Sequence, residues 1–288
     1  MPDIKVIVDS TVDISLEKLK ELDVDMLPLY VSIHGEEYKD LEEIRWNEVI
    51  EKVEKYNELP KTSAINVQTF YETFDKYLKQ GKEVIFLSLG SNFSINYTNA
   101  CTARDMLGKG VYVIDSRNLS SAIGLQLFKI IKMKNEGLSA KEIVLKMEEI
   151  VENTQTETGL ETVEYLHKGG RCSGVTRFLA TVLKLYPIVK IKEGLIKVHK
   201  IGTVKFKNAL DKIIKDFKKD YDSDNVDEDH IIISTVGNKP AQHYLFTKIS
   251  EFFNPIKILL FDAGCVVSTH CGPGTTGLFY IRKRKVAY

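Results

Sequence analysis

The sequence predicts an α/β protein of two lobes: a doubly wound N-terminal domain on a parallel sheet, residues 1–158, and a C-terminal α/β domain, residues 159–288. Three observations lead there. A chain of 288 residues exceeds the usual size of one small domain. Its first half repeats apolar run, polar loop and helical pattern, as expected of parallel strands covered on both faces. Near Gly159 the theme changes, and a hairpin pattern enters.

Ile4-Lys5-Val6-Ile7-Val8 is β-rich and stops at the polar Asp9-Ser10-Thr11, so a loop follows the first strand's carboxyl end. Ser15 then opens a helical pattern through Leu16, Leu19 and Leu22. Met26 to Ile33 reads as one strand with Pro28 marking an edge or irregular start, and Gly35 turns the chain after it. Val84 to Leu89 and Val111 to Asp115 are the next parallel strands, each followed by a polar loop. In the second half, Leu160 to His167 reads as helix and Gly169-Gly170-Arg171 as its end. Pro187 to Ile191 and Leu195 to Val198 form a hairpin about Gly194. A surface loop over Tyr221 to Asp229, strands at Ile231 to Ser234 and Ile256 to Phe261, a helix from Pro240 to Phe253 and a glycine-rich close complete the lobe.

Composition narrows the function classes. Hydrophobic residues make up 43% and charged residues 28%, enough for a sizeable core. Lys plus Arg equals Asp plus Glu at 40 each, so no positive field gathers a nucleic acid. The one basic run, Arg282 to Lys285, reads as a solvated edge. Met1 to Lys5 lacks the pattern of a secretory signal and no apolar run approaches the ~20 residues of a membrane span, so the expected location is the cytosol. Four cysteines without a CxxC pair fit reduced thiols; Cys265, His270 and Cys271 lie close in sequence but have no partner motif elsewhere, so no metal is expected.

Five polar loops carry the candidate chemistry: Asp9-Ser10-Thr11, Thr62-Ser63, Ser91 to Ser94, Gly169-Gly170-Arg171 and His270 to Gly274. Loops at strand carboxyl ends converge in a doubly wound lobe, which directs Ser10, Thr62 and Ser94 toward one crevice. Each hydroxyl also suits a helix cap. Gly272-Pro273-Gly274 lets backbone approach a ligand and equally makes a tight turn. Arg171 adds a permanent cation and His270 a titratable group, a pair suited to a carboxylate or phosphate head.

Val8 to Ile14, Pro28-Leu29 leading to Gly35 through Asp40, Lys61-Thr62-Ser63, Thr162 through Arg171 and Thr269 through Gly274 resemble, in order, the signatures of the DegV family. The resemblance implies a two-lobe α/β fold that binds one long-chain fatty acid and serves as carrier for a separate fatty acid kinase, which makes the acyl phosphate for phospholipid synthesis. It implies that Thr62 and Ser94 hydrogen-bond the carboxylate, that Arg171 and His270 flank it, and that Gly272 and Gly274 shape the approach. No catalytic residue and no cofactor beyond the bound fatty acid are implied, and the chain indeed has no GxxxxGK[ST] loop for ATP. Ala64, Ile95 and Asn96 depart from the family pattern, Ile95 standing where a glycine is usual. Phe93, Ile95, Ile123, Leu125 and Leu127 are candidates for the acyl lining, although for each of them a place in the ordinary core is the stronger reading. Two other readings compete: a serine-dependent acyl hydrolase or transferase using Ser94 or Ser10 with His270, although no GxSxG is present, and a phosphate- or nucleotide-binding module built on the glycines near Arg171 and Gly272.

Overall fold

The computed structural model describes residues 3–172 and 185–285. Its first sheet has four parallel strands in the order β2-β1-β6-β7: β1 (Ile4–Asp9), β2 (Val24–Leu27), β6 (Glu83–Ser88) and β7 (Val111–Asp115). All six residues of β1 are buried, which is why its sequence is apolar without alternation. Lys5 is tolerated there because its ammonium reaches Asp23 and Asp25 at 2.8 and 2.9 Å. Helices α3 (Val67–Leu78) and α4 (Asn96–Leu107) pack together on one face. Helices α5 (Ser121–Asn135) and α6 (Ala140–Asn153) take the other.

Pro28 divides the expected Met26–Ile33 strand. Val24–Leu27 stays in the parallel sheet, whereas β3 (Tyr30–Ile33) pairs with β4 (Glu36–Lys39) and β5 (Lys61–Ser63) in a separate antiparallel sheet. A proline has no N–H to give a ladder, so the chain changes sheets there. Helices α1 (Leu16–Glu21) and α2 (Trp46–Tyr56) flank this region, and the side chain of Ser15 accepts from the N–H of Lys18 to start α1.

The second large sheet has six strands in the order β10-β9-β8-β13-β11-β12. They are β8 (Thr154–Gly159), β9 (Leu185–Lys192), β10 (Leu195–Thr203), β11 (Ile231–Thr235), β12 (Ile258–Asp262) and β13 (Thr276–Ile281). The hairpin about Gly194 is present as β9–β10. Strand β8 crosses the expected boundary at 158/159, with all six of its residues paired to β13. Helix α7 covers only Glu164–Lys168, so Leu160 to Val163 correct the expected longer helix: the N–H of Leu160 is held by the carbonyl of Pro187 instead. Helices α8 (Lys207–Asp222), α9 (Lys239–Ile249) and α10 (Cys265–Cys271) complete the lobe. Arg282, expected at a solvated edge, is buried and donates to Asp220 at 2.7 Å.

Between the two large sheets lies α5, with ten of its fifteen residues buried. One side meets the parallel sheet's core; Ala122 and Leu125 meet Ile232, Phe279 and Ile281 of the other sheet. Ile123, Leu125 and Leu127 are core residues, 0–2% exposed, and Leu125 also borders a second cavity of about 500 Å³ with Phe128, His230 and Ile281. A helix apolar on every side is one buried on every side.

Candidate functional site

The parallel sheet has one topological switch point, between β1 and β6, where open α/β sheets bind ligands. A cleft of about 540 Å³ opens there, between the lobes. Thr11 enters it from the loop after β1, and Leu89 and Ser91 to Ile95 from the loop after β6. Thr62 arrives from β5, Leu166 and Arg171 from the α7 region, Ile196 from β10, and Val266, Val267, His270 and Cys271 from α10.

Thr62 and His270 meet directly, with Oγ1 and Nε2 2.9 Å apart. Burial, then the Arg171 guanidinium, lowers the imidazole's pKa to about 4, so it is neutral near pH 7. Its Nδ1 is buried without a partner among the described residues. The ring lies against Gly169, where a Cβ would stand 2.5 Å from Nδ1; the glycine there makes room for the imidazole. Arg171 is exposed and folds back to donate to the Gly169 carbonyl at 2.6 Å. Ser94 is half-buried, and its Oγ accepts from the N–H of Asn96 at 3.2 Å.

Three buried carboxylates hold these loops together; the sequence had placed Asp9 in a polar loop but assigned none of the three this role. Asp9 accepts from the N–H of Leu89 at 2.7 Å, from Asn96 at 2.9 Å and from Thr11. Asp13 accepts from Ser120 and from the N–H of Gly264 at 2.8 Å. Asp40 accepts from the N–H groups of Cys265 and Val266 at 2.8 and 3.4 Å and from Ser10 at 2.9 Å. The last two carry the N-terminal lobe's grip on α10, and thereby on His270 at its far end. Their proximity to a helix start favours the ionised form, yet burial dominates: it pushes Asp13 up to about 7 and raises Asp9 and Asp40. The available signal was Asp9, Asp13 and Asp40 themselves, acids placed in or beside apolar runs.

The placements differ from expectation in two respects. Ser10 lies behind the cleft, tied to Asp40 and to the N–H of Leu29, and Thr11 faces the cleft in its stead. Gly272 and Gly274, expected to shape the approach, are absent from the lining: both have φ of +80°, and a Cβ would meet Tyr165 at 2.8 Å and Glu161 at 2.0 Å respectively. They let the turn after α10 pack beneath the α7 segment.

The competing readings fare differently. A serine nucleophile needs a base, but Ser10 and Ser94 make the bonds just described while His270 bonds Thr62. The glycines near Arg171 and at Gly272 end helices rather than open them, the reverse of a phosphate loop. The family model described as "Uncharacterised protein, DegV family" matches residues 3–283. The chain belongs to the DegV family.

A DegV domain-containing protein of Clostridium acetobutylicum is 30% identical over 284 residues, covering 98% of this chain and all of that one. Among solved structures, a fatty acid-binding DegV family protein from Thermus thermophilus superposes with a TM-score of 0.90 at 26% identity, covering 97% of this chain and 99% of that chain. A DegV lipid-binding protein from Thermotoga maritima gives 0.85 at 25% identity, with 99% and 100% covered. The stearic acid-binding protein of Eubacterium ventriosum, 24% identical with 97% and 98% covered, shares the fold at 0.84.

Against the DegV pattern, Asn96 takes a structural part. It is fully buried, and besides Asp9 it binds the N–H of Ile65 at 3.2 Å, while Asn99 holds the Ile65 carbonyl at 2.8 Å. Helix α4 thus fastens the loop of Ser94 to the segment of Thr62. Ile95 stands at the rim of the DegV cleft, 66% exposed, with an ordinary φ of −72°. No glycine conformation is required there, and its branched side chain adds apolar surface at the opening.

Proposed function

We propose that this DegV chain binds one long-chain fatty acid between its lobes, its carboxylate on Thr62 and Ser94 with His270 and Arg171 beside it. The observation that carries the reading is an inter-lobe cleft of about 540 Å³, walled largely by Leu29, Leu89, Leu119, Val266 and Val267, into which these four polar groups also open. Cavities of this kind, mostly apolar with few convergent polar groups, are the ordinary form of a small-molecule site. Relatives described as fatty acid-binding and lipid-binding support it.

The tail supplies affinity and the head orientation. About fourteen methylenes of a sixteen-carbon chain, at about 0.8 kcal/mol each, contribute on the order of 11 kcal/mol before association costs. A carboxylate only accepts hydrogen bonds, so the head site must donate. In this reading the neutral His270 gives its Nε2–H to Thr62 Oγ1, which leaves the Thr62 proton for the ligand. Arg171, exposed at the edge, adds positive charge without a buried cation. The loaded chain then presents its carboxylate to a fatty acid kinase, which makes the acyl phosphate.

The test replaces both Thr62 and Ser94 by Ala and measures fatty-acid affinity on delipidated protein. Two charge-assisted hydrogen bonds at about 1.5–3 kcal/mol each predict a loss of roughly 10²-fold or more. Unchanged affinity in a folded double variant removes both residues from the head site. For the second half, loaded protein, ATP and a bacterial fatty acid kinase should give an acyl phosphate trapped by hydroxylamine; its absence refutes presentation.

A further inference from the structure

Ser120, the residue from which helix α5 starts, holds a backbone conformation that side chains avoid: φ is +61° and ψ −150°. That region is essentially confined to glycine, and for any other residue it disfavours the state by roughly 5- to 150-fold. The strain is buried, with Ser120 only 3% exposed. Nor is the serine there as a helix cap. Its carbonyl accepts the N–H of Ile123 at 2.8 Å, but its hydroxyl makes no cap hydrogen bond and turns instead to Asp13, 107 residues earlier in the chain.

The same carboxylate receives the N–H of Gly264, the residue before α10, at 2.8 Å. Asp13 is therefore a common anchor for two segments that wall the cleft: Leu119, immediately before Ser120, and Val266 and Val267, in the first turn of α10. On its other side Leu119 follows Asn118. That residue is fixed by the N–H of Gly90 on its carbonyl at 2.9 Å and by the Thr156 hydroxyl on its side chain at 2.6 Å. Leu119 is carried between two pins, and the second of them is strained. A glycine at 120 would turn the chain without strain but has no hydroxyl to give Asp13.

We propose that Ser120 is a positioning residue of the acyl site: its hydroxyl, fastened to Asp13, holds a strained turn that sets Leu119 against the bound chain, in line with the valines of α10. The inference rests on the fatty-acid reading above. Without the tie, residue 120 relaxes to negative φ, the peptide after Leu119 turns, and the leucine no longer meets the chain, although the fold around it stands.

The experiment measures palmitate affinity and Tm on the delipidated full chain for Ser120→Ala, Ser120→Gly, Leu119→Ala and the double variant Leu119→Ala/Ser120→Ala. Ser120→Ala loses the tie and keeps the Cβ, so palmitate should bind roughly tenfold more weakly, the worth of about two buried methylenes. Ser120→Gly loses the same hydroxyl but adopts the turn freely, and should recover affinity to within about threefold of the wild type. With Leu119 already truncated, Ser120→Ala should weaken binding no further. Equal losses for alanine and glycine, or full additivity in the double variant, would show that the hydroxyl only stabilises the fold, and would overturn the inference while the carrier reading stands. So would a Ser120→Ala that melts lower yet binds palmitate as the wild type does. If Ser120→Ala does not fold, the glycine variant decides: affinity within about threefold of the wild type upholds the turn, and a loss of about tenfold refutes it. If the wild type itself takes up no palmitate, the carrier reading fails and the inference with it.

Discussion

Replacing Asp40 by Asn tests whether the N-terminal lobe holds α10 in place. The carboxylate receives three hydrogen bonds from donors only: the N–H groups of Cys265 and Val266 and the Ser10 hydroxyl. An amide offers one oxygen and one NH₂, so at least one buried N–H or hydroxyl would face another donor. Each buried polar group left unanswered costs about 1–3 kcal/mol, and the lost charge adds to it. We expect a destabilisation of about 2–3 kcal/mol, or roughly 5–10 °C at the 2–4 °C per kcal/mol typical of large domains. Because α10 carries His270 in its last turn, where it bonds Thr62 across the cleft, the fatty-acid dissociation rate should rise together with the fall in Tm. Calorimetry and stopped-flow displacement of a fluorescent fatty acid measure the two. A variant melting within 1 °C of the wild type, with an unchanged off-rate, would refute the clamp.

Other predictions follow from single residues. The folded His270 has its pKa lowered to about 4, against 6.5 for an unperturbed side chain, so the unfolded chain takes up the proton first on acidification. Its stabilising contribution is complete above pH 6.5 and is lost as pH falls through 4; relative to His270→Gln, the wild type should lose about 3 kcal/mol between pH 7 and pH 4 in denaturant titrations. A pH-independent difference contradicts that. Gly237 has φ of +73°, and a Cβ there would lie 2.3 Å from the ring of Trp46, the chain's single tryptophan. Gly237→Ala should cost about 2–4 kcal/mol and shift the tryptophan emission; an unmoved spectrum at unchanged stability would show that the contact yields freely.

The parallel strands were legible because burial on both faces leaves an unbroken apolar run, as in β1 and β6. The β9–β10 hairpin was legible from Gly194 at its turn. What escaped was decided by partners distant in sequence. Nothing local ends a strand at Leu27 and restarts it at Tyr30 in another sheet beyond what Pro28 hints. Likewise Leu160 to Val163 carry helical periodicity, but the Leu160 N–H goes to Pro187. At the site, Thr62, Ser94, Arg171 and His270 were given roles from the sequence, whereas the carboxylates that bring their loops together were not. A buried Asp is recognised by the donors surrounding it, and for Asp13 the decisive donor is 251 residues away.

That separation has a consequence for the protein's synthesis. Thr62 and His270 are 208 residues apart, and both walls of the cleft exist only once α10 has emerged and docked. Closing so long a loop must come before any contact across it can repay the entropy. An unfinished chain on the ribosome, or one truncated before Gly264, therefore has no chamber in which to hold an acyl tail. On the proposed function, cargo capture is a late event in the protein's life, and a bound lipid would certify that both ends of the chain have met.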